Sequence, residues 1–510
     1  MQRTWTQLAL GLGLVTAQGL IAIGCSSGSS GGGAAPAATG AGGGAATPPQ
    51  APPQNQQQPP PPPPPQGGGG GGGGAPPPPP AGLDGQLQAA LANAGVTAPT
   101  APAADSAALV ALGEALFFDK LLSGNRNISC ATCHHPDLAT GDGLPLPLGE
   151  GATGLGPVRA GSTDQVIPRN APHVFNAGLP QVPSMFWDGR ISFDPATGVF
   201  ETPEPGLNGA TPTLAAIVAE LDGPLAAQAL FPVTSPDEMR GEPGDNEVAD
   251  AADNAEVWEL LMARLVGTAG GTVGGFAEYR TLFAAAFPAV TNTDELNFGH
   301  AARAIAAFER ATFTFLDSPL DQYLAGNLGA LSDQAKRGGL VFFGAGRCGA
   351  CHSGPLLSDF DFHAIATPQL GPGKDAGDDT GRVLISGANR DTYRFRTPPL
   401  RNVDLTGPFM HSGAFSTLDE VLTHYRNPTN SQRTFTGASL PPFFQALVDF
   451  DTTRQEARIA RLSPRLTPPP NFNTVQRQEL LAFLAALTDD AARTLPAPPA
   501  TVPSGLPVAD

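Results

Sequence analysis

Apolar residues recur at helical spacing in several separate stretches of the chain, with polar and turn-forming residues between them. In residues 106–122, Leu109, Leu112, Leu116 and Phe117 fall on one face of a helix. Similar patterns predict further helices over 298–317, 332–343, 416–426 and 474–488. Segments rich in proline and aspartate predict loops over 141–168 and 366–392. The chain is therefore expected to be mainly α, with long loops and no strand-rich region.

The N-terminus has a different pattern, typical of an export signal. An arginine precedes an apolar stretch from Leu8 to Ile23, which ends in small residues before Cys25. This layout predicts a signal peptide over 1–24 and a lipid on Cys25, as in bacterial lipoproteins. An ordinary signal peptide that is cut elsewhere also fits the pattern.

Two further segments have compositions that do not favour a packed core. Residues 25–81 begin with the lipidated cysteine and are then almost wholly Gly, Ala, Pro, Gln and Ser, which predicts a disordered linker. We expect the protein to be exported, to face the periplasm as a lipoprotein anchored in the outer membrane, and to contact the membrane only through the lipid. Residues 491–510 are rich in Pro and Ala and predict a flexible tail.

Charge narrows the range of partners. The net charge of −18 argues against nucleic acid, which selects basic surfaces. An acidic protein suits a basic redox partner better. The residues between the linker and the tail, about 400 in number, are enough for two domains.

The cysteines are the most informative residues. There are five, namely Cys25, Cys130, Cys133, Cys348 and Cys351. The last four form two C-x-x-C pairs, each followed directly by a histidine, His134 or His352. Disulfides are the usual use of cysteine in exported proteins, and a zinc site is another use of such pairs. C-x-x-C-H repeated twice, with no second ligand pair nearby, instead predicts two covalently attached haems c.

Each haem motif follows a helix that ends in two phenylalanines, which suggests one haem per domain. The predicted domains are an N-terminal haem domain over 82–320 and a C-terminal haem domain over 321–490. In each motif the thiols add to the haem vinyl groups, and the histidine binds iron. Two haems alone would also suit a non-catalytic electron-transfer cytochrome.

Several segments, in order along the chain, resemble the bacterial dihaem cytochrome c peroxidase and MauG family. They are LFFDKLLSGNRNISCATCH, PRNAPHVFN, MFWDGR, SPDEM, CGACHSGPLLSDFDFH, TPPLRNVDLTGPFMHSG and STLDEVLTHY. The resemblance implies two cytochrome c-like haem domains. It also implies that hydrogen peroxide reacts at the N-terminal haem, while electrons arrive through the C-terminal haem from a small cytochrome c or cupredoxin. It is compatible with a homodimer.

The resemblance assigns roles to residues between the haem motifs. Trp187 matches the tryptophan between the haems, although a packing role at the domain interface is also compatible with its position. Glu238 matches the active-site glutamate, with Gln228 ten residues before it and Pro232 between them. A carboxylate beside peroxide can move a proton from one oxygen to the other, and the glutamine can hold the oxygen. On composition alone, Glu238 would be a solvated acid in a loop.

The resemblance also implies one calcium ion between the domains. Its ligands would be the Asn170 side chain and the carbonyls of Thr406 and Pro408. Oxygen ligands suit this hard cation. The alternative is an asparagine that caps a loop.

Axial ligands distinguish the subclasses of the family. In many dihaem peroxidases, a histidine in the loop after the first motif blocks the first iron. Residues 136–168 contain no histidine, so the first haem is expected to be open. For the second haem, Met410 is the ligand that simple chemistry favours. The family's spacing of fourteen residues from the histidine of PFMHSG instead selects Tyr425, as in MauG.

The sequence therefore predicts a dihaem peroxidase. A MauG-like oxidase that modifies a protein or organic substrate through high-valent iron is the alternative within enzymes. An electron-transfer cytochrome is the alternative outside them.

Overall fold

The computed structural model describes residues 82–267, 274–374 and 377–509. The predicted signal peptide, the predicted lipidation site Cys25 and the predicted linker lie outside these residues. The described helices are α1 Leu83–Asn93, α2 Ala107–Phe118, α3 Cys130–Cys133, α4 Ala215–Val218, α5 Pro224–Ala229, α6 Asn254–Val266, α7 Ala277–Ala286, α8 Phe298–Phe313, α9 Pro319–Leu324, α10 Asp333–Phe343, α11 Val383–Ser386, α12 Leu418–Arg426, α13 Pro428–Thr434, α14 Pro442–Gln445, α15 Thr452–Ala460 and α16 Thr474–Ala485. The expectation of a mainly α protein is confirmed.

The helices that periodicity predicted begin at side-chain caps. Ser106 accepts a hydrogen bond from the Leu109 amide at the start of α2. Thr417 and Glu420 form a reciprocal capping box at the start of α12. Such caps satisfy amides that lack a partner in the first turn, which is why these helices start where they do.

One hydrophobic core lies around the crossing of α2 and α8. Phe117 and Phe313 are fully buried there, with ring centroids 5.9 Å apart. The helices approach closely at Gly113, where an added Cβ would stand 1.9 Å from the carbonyl oxygen of Ala304. Glycine is therefore required at this crossing for steric reasons.

A second core lies around the crossing of α10 and α16. Gly338 occupies the same kind of position, since an added Cβ would stand 1.9 Å from the Glu479 carbonyl oxygen. Phe342 packs on Phe483 in this core, with ring centroids 5.3 Å apart. Each haem motif is thus preceded by a helix that carries a crossing glycine and, four residues later, a buried phenylalanine.

Short strands were not predicted, and they position functional residues. β1 Ser184–Met185, β2 Ile191–Asp194 and β3 Val199–Glu201 form an antiparallel sheet in the order β1-β2-β3. β4 Phe362–His363 and β5 Phe395–Arg396 form an antiparallel pair. The β1–β2 turn contains Trp187, and the backbone amide of Arg396 in β5 donates a 2.7 Å hydrogen bond to its carbonyl.

The first helix does not pack with the domain to which the predicted boundary, between residues 320 and 321, assigned it. α1 was assigned to the N-terminal domain, but Leu87 and Leu91 are buried in the second core. The Asp84 carboxylate forms a 2.7 Å ion pair with the Lys336 ammonium of α10. The apolar face of α1 is covered by α10, so residues 82–96 pack with the C-terminal half.

The C-terminal residues also differ from the prediction, because they pack against the first core. Residues 491–509 were expected to form part of a flexible tail, but Val502 is only 6% exposed and packs in the first core. The Ser504 hydroxyl donates a 2.6 Å hydrogen bond to the Asp119 carboxylate at the end of α2. Apolar side chains between the prolines make the contacts with the first core. The composition of the segment did not reveal that these side chains would be buried.

Residues 82–509 lie within one compact unit. The division into two haem domains therefore stays a prediction. None of the helices in the described ranges is long and apolar enough to cross a membrane.

Candidate active site

The first C-x-x-C-H motif forms a short helix with an oriented histidine. α3 spans Cys130–Cys133, and Ser129 and Thr132 form a capping box at its start. His134 follows, and its Nδ1 lies 3.1 Å from the Thr140 carbonyl oxygen. Because a carbonyl can only accept, Nδ1 carries the proton and Nε2 is left for a metal.

The second motif has the same arrangement. Cys348–Ala350 form a 3₁₀ turn, and the Nδ1 of His352 lies 2.9 Å from the Leu357 carbonyl oxygen. Burial lowers the pKa of both His134 and His352, which favours the neutral imidazole that binds iron. Both motifs therefore fit covalent haem, with the thiols and one imidazole nitrogen held ready at each site.

A cavity of about 240 Å³ adjoins the first motif. Its lining includes Cys130, Cys133 and His134. The four residues that were expected to act on peroxide, Trp187, Gln228, Pro232 and Glu238, line the same cavity. Side chains that are far apart in the sequence thus meet around one space.

Glu238 lies in a π-helical turn, Pro236–Arg240. The Arg240 amide donates a 2.9 Å bond to the Ser235 carbonyl, five residues earlier. Burial raises the pKa of Glu238 above its usual value, and the charges of Arg190 and Lys374 oppose this rise. Glu238 is therefore a half-buried acid with two cations near it. It is not the solvated loop acid that composition alone suggested.

Arg190 and Lys374 are cavity residues that sequence reasoning missed. Arg190 directly follows the Trp-Asp-Gly segment, and its guanidinium lies 3.7 Å from the centre of the Phe186 ring. Lys374 comes from a loop in the C-terminal half. No local pattern brings that lysine to Glu238, because only the tertiary fold places this loop against the cavity.

Glu309 of α8 is a second acid on the cavity that the sequence did not reveal. Burial raises its pKa to about 8, although Arg310 opposes the rise. Its Oε2 has no hydrogen-bond partner among the described residues. Helical periodicity places this position on the inner face of α8, which is the signal that could have found it.

The residues expected to bind calcium also line the cavity. Asn170 donates from Nδ2 to the carbonyls of Leu144 and Pro145, at 2.9 and 3.2 Å, so its Oδ1 points elsewhere. Thr406 and Pro408 lie along the same cavity. The three oxygen-bearing residues are thus brought to one region.

An ion-pair network holds the segments on either side of Trp187. Arg169 donates from Nη1 to Asp188, at 2.5 Å, and from Nε to Asp379, at 2.7 Å. Burial opposes ionisation of Asp188, but the charges of Arg190 and Arg169 hold its pKa below the usual value. This network links the Trp187 turn to the loop that contains Asp379 in the C-terminal half.

The two candidate ligands of the second haem lie in different places. Met410 lines the cavity of the first motif, whose described lining includes no residue of the second motif. Tyr425, near the end of α12, lies close enough to Cys351 and Cys348 to interact with them electrostatically, and burial raises its pKa. Tyr425 is therefore the candidate that lies beside the second motif.

Comparisons with known proteins identify the family of this chain. A family model described as di-haem cytochrome c peroxidase matches residues 107–329. The chain is 32% identical over 318 residues to the methylamine utilization protein MauG of Methylorubrum extorquens, covering 62% of this chain and 68% of that protein. It is 32% identical over 305 residues to the cytochrome c551 peroxidase of Pseudomonas aeruginosa, covering 59% and 67%.

A solved structure is also similar. It is described as a MauG-like protein associated with microbial copper homeostasis, and it matches with a TM-score of 0.51 and 26% identity, covering 78% of this chain and 95% of that one. The chain belongs to the di-haem cytochrome c peroxidase family and is an oxidoreductase of the cytochrome c peroxidase and MauG type.

Proposed function

We propose that this protein reduces hydrogen peroxide at the haem on Cys130 and Cys133, with electrons relayed through the haem on Cys348 and Cys351. The observation that carries the proposal is the shared cavity, in which Glu238 and Gln228 line the same space as the first haem motif. A non-catalytic cytochrome has no need of a half-buried acid in such a place.

Glu238 and Gln228 would divide the work on peroxide. Bound haem supplies an iron that accepts peroxide and exchanges electrons. The Glu238 carboxylate takes a proton from the nearer oxygen and returns it to the leaving oxygen. The Gln228 amide holds the bound oxygen by a hydrogen bond. Arg190 and Lys374 keep Glu238 ionised at lower pH than burial alone would allow.

Trp187 would be the relay between the two haems. Its indole lines the first cavity, and its backbone carbonyl accepts the amide of Arg396 from the C-terminal half. The T-shaped contact with His411, with ring centroids 6.4 Å apart, adds a further link to that half. A packing role is compatible with this electron-transfer role.

A MauG-like oxidase is the second candidate, and a specific observation favours it. Tyr425 lies close to Cys348 and Cys351, and the loop over 136–168 contains no histidine to block the first haem. As a phenolate, Tyr425 would stabilise oxidised iron at the second haem. Peroxide would then be used to oxidise a protein or organic substrate.

One calcium ion would bind at Asn170, Thr406 and Pro408, and a small basic cytochrome c or cupredoxin would donate electrons to this acidic chain. The protein would face the periplasm, anchored through a lipid on Cys25. Removal of calcium with a chelator is expected to slow turnover, and added calcium should restore it.

One experiment separates the three functions. Stoichiometric peroxide is added to the purified diferric protein, and optical and paramagnetic-resonance spectra are recorded with and without a reduced donor. Rapid peroxide loss with donor oxidation supports the peroxidase. A long-lived oxidised spectrum without donor supports the MauG-like oxidase. Two six-coordinate low-spin haems with no peroxide loss would leave only the electron-transfer cytochrome.

A further inference from the structure

Arg396 of β5 extends from the C-terminal half to the cavity of the first haem motif. Its Nε donates a 3.0 Å hydrogen bond to the Phe186 carbonyl. Its Nη1 is buried and has no hydrogen-bond partner among the described residues. A buried guanidinium donor without an acceptor is costly, so an acceptor is expected at this position.

A second unpartnered nitrogen lies along the same cavity. The Nδ1 of His173 is buried and accepts or donates no hydrogen bond within the described ranges. Burial, together with the nearby charge of Arg396, lowers the pKa of His173 to about 4. The imidazole is therefore neutral beside the Arg396 guanidinium, and it can offer one N–H donor.

The carboxylates on the described cavity lining do not complete this pair. The Glu238 carboxylate already interacts with the positive charges of Arg190 and Lys374, which lower its pKa against the effect of burial. Glu309 carries a proton near neutral pH because burial raises its pKa to about 8.

Asp188 is the anion whose charge acts on Arg396. However, Asp188 already accepts hydrogen bonds from Arg169 and Arg190. The acceptor that the Arg396 Nη1 lacks is therefore expected to come from a group bound in the cavity.

Haem brings such a group. Its two propionate carboxylates lie on the edge of the ring opposite the vinyl groups, and the vinyl groups would be joined to Cys130 and Cys133. We propose that the Arg396 Nη1 and the His173 Nδ1 form the binding site for a propionate of the first haem. This inference rests on haem attachment at the first motif and does not depend on which oxidation the protein performs.

The site would join the two halves of the chain through the cofactor. Arg396 belongs to the C-terminal half, whereas Cys130, Cys133 and His173 belong to the N-terminal half. The backbone amide of Arg396 also donates to the Trp187 carbonyl at 2.7 Å. The propionate and the tryptophan would therefore be positioned by one residue.

The test uses the full-length dihaem protein with Arg396→Gln, Arg396→Lys and His173→Phe. Arg394→Gln is the matched control, because Arg394 is two residues away and its side chain is 38% exposed. The readouts are covalent haem content, the propionate bending band in resonance Raman spectra, and the midpoint potential of each haem followed by its paramagnetic-resonance signal.

Arg396→Gln is expected to keep two haems, to move the propionate band to lower frequency and to lower the potential of the first haem. The potential falls because a positive charge that disfavoured ferric iron is lost. Arg396→Lys should have a first-haem potential close to that of the wild type. Arg394→Gln should change neither the propionate band nor the potential. His173→Phe should move the band with a smaller change in potential.

An unchanged first-haem band and potential in Arg396→Gln would overturn the inference, as would a change confined to the second haem. If Arg396→Gln is not recovered with two haems, His173→Phe decides, and an unchanged band in that variant would reject the site. Peroxide turnover is measured separately, so an inactive protein with the expected band shift would reject only the proposed peroxidase function.

Discussion

The indole Nε1 of Trp187 donates a 2.8 Å hydrogen bond to the backbone carbonyl of Asn170. Asn170 also donates from its backbone amide to the His411 carbonyl at 2.7 Å, and its side chain is the proposed calcium ligand. Trp187 is therefore oriented by the backbone of the residue whose side chain would bind the ion. The relay and the calcium site are expected to respond together when this segment is disturbed.

Trp187→Phe is expected to lower donor-dependent peroxide turnover substantially, because phenylalanine is harder to oxidise and lacks the indole N–H. Turnover with a reduced donor at saturating peroxide measures the effect. Trp258→Phe is the matched control, since the Trp258 indole donates a similar 2.9 Å bond, to Leu230, and Trp258 does not line the cavity. The control should lower thermal stability while turnover per folded molecule is retained. Equal turnover in the two variants would exclude Trp187 from the relay.

Glu238→Gln is expected to slow peroxide turnover about a hundredfold or more, because the amide cannot carry the proton between the two oxygens. Covalent haem content and the resting spectra should stay close to those of the wild type. Asp237→Asn, at the exposed neighbouring position, should have normal turnover. Normal turnover in Glu238→Gln would remove this residue from the mechanism.

Lys374→Met is expected to shift the acid limb of the pH profile to higher pH. The positive charge of Lys374 lowers the pKa of Glu238, against the effect of burial. Its removal raises that pKa, so the carboxylate is protonated over a wider acid range and turnover is lost earlier as pH falls. The profile of kcat/KM measures the shift. Lys374→Arg, which keeps the charge, should follow the wild-type profile, and identical profiles in both variants would contradict the assignment.

Tyr425→Phe is expected to change the optical and paramagnetic-resonance signature of the second haem and to raise its potential, because a phenolate ligand is lost. Met410→Leu should leave that signature unchanged, since Met410 lines the cavity of the first haem motif. The spectra of the two purified variants decide between the ligands. A change in Met410→Leu alone would show that the methionine is the ligand.

Gly113→Ala and Gly338→Ala are each expected to destabilise the protein by about 1–3 kcal/mol or more, as is usual for an overpacked core. In both cases the new Cβ would stand 1.9 Å from a carbonyl oxygen of the crossing helix, so the helices must separate. Thermal unfolding measures the effect. Gly329→Ala is the control, because its nearest neighbour within 4 Å is the Asn327 Oδ1 at 3.5 Å, and it should leave stability nearly unchanged.

Local patterns were enough to predict the features that depend on neighbouring residues. The helices α2, α8, α10, α12 and α16 follow the predicted segments closely, because the spacing of their apolar residues and their caps are properties of short stretches. The C-x-x-C-H motifs are likewise local, since the two thiols and the imidazole must reach one haem. The resemblance to a family then supplied Trp187, Gln228 and Glu238 as candidates.

Packing between distant segments decided the rest. Whether α1 joins the first or the second core depends on which apolar surface is left uncovered, and that surface is made by α10, about 240 residues later. The placement of Lys374 beside Glu238, of Arg396 beside Trp187 and of the C-terminal residues on Asp119 has the same origin. The sequence by itself determined the helices, the two haem attachment sites and the family. Only the tertiary structure decided which charges surround the first haem cavity, because those charges come from loops whose positions are set by long-range contacts.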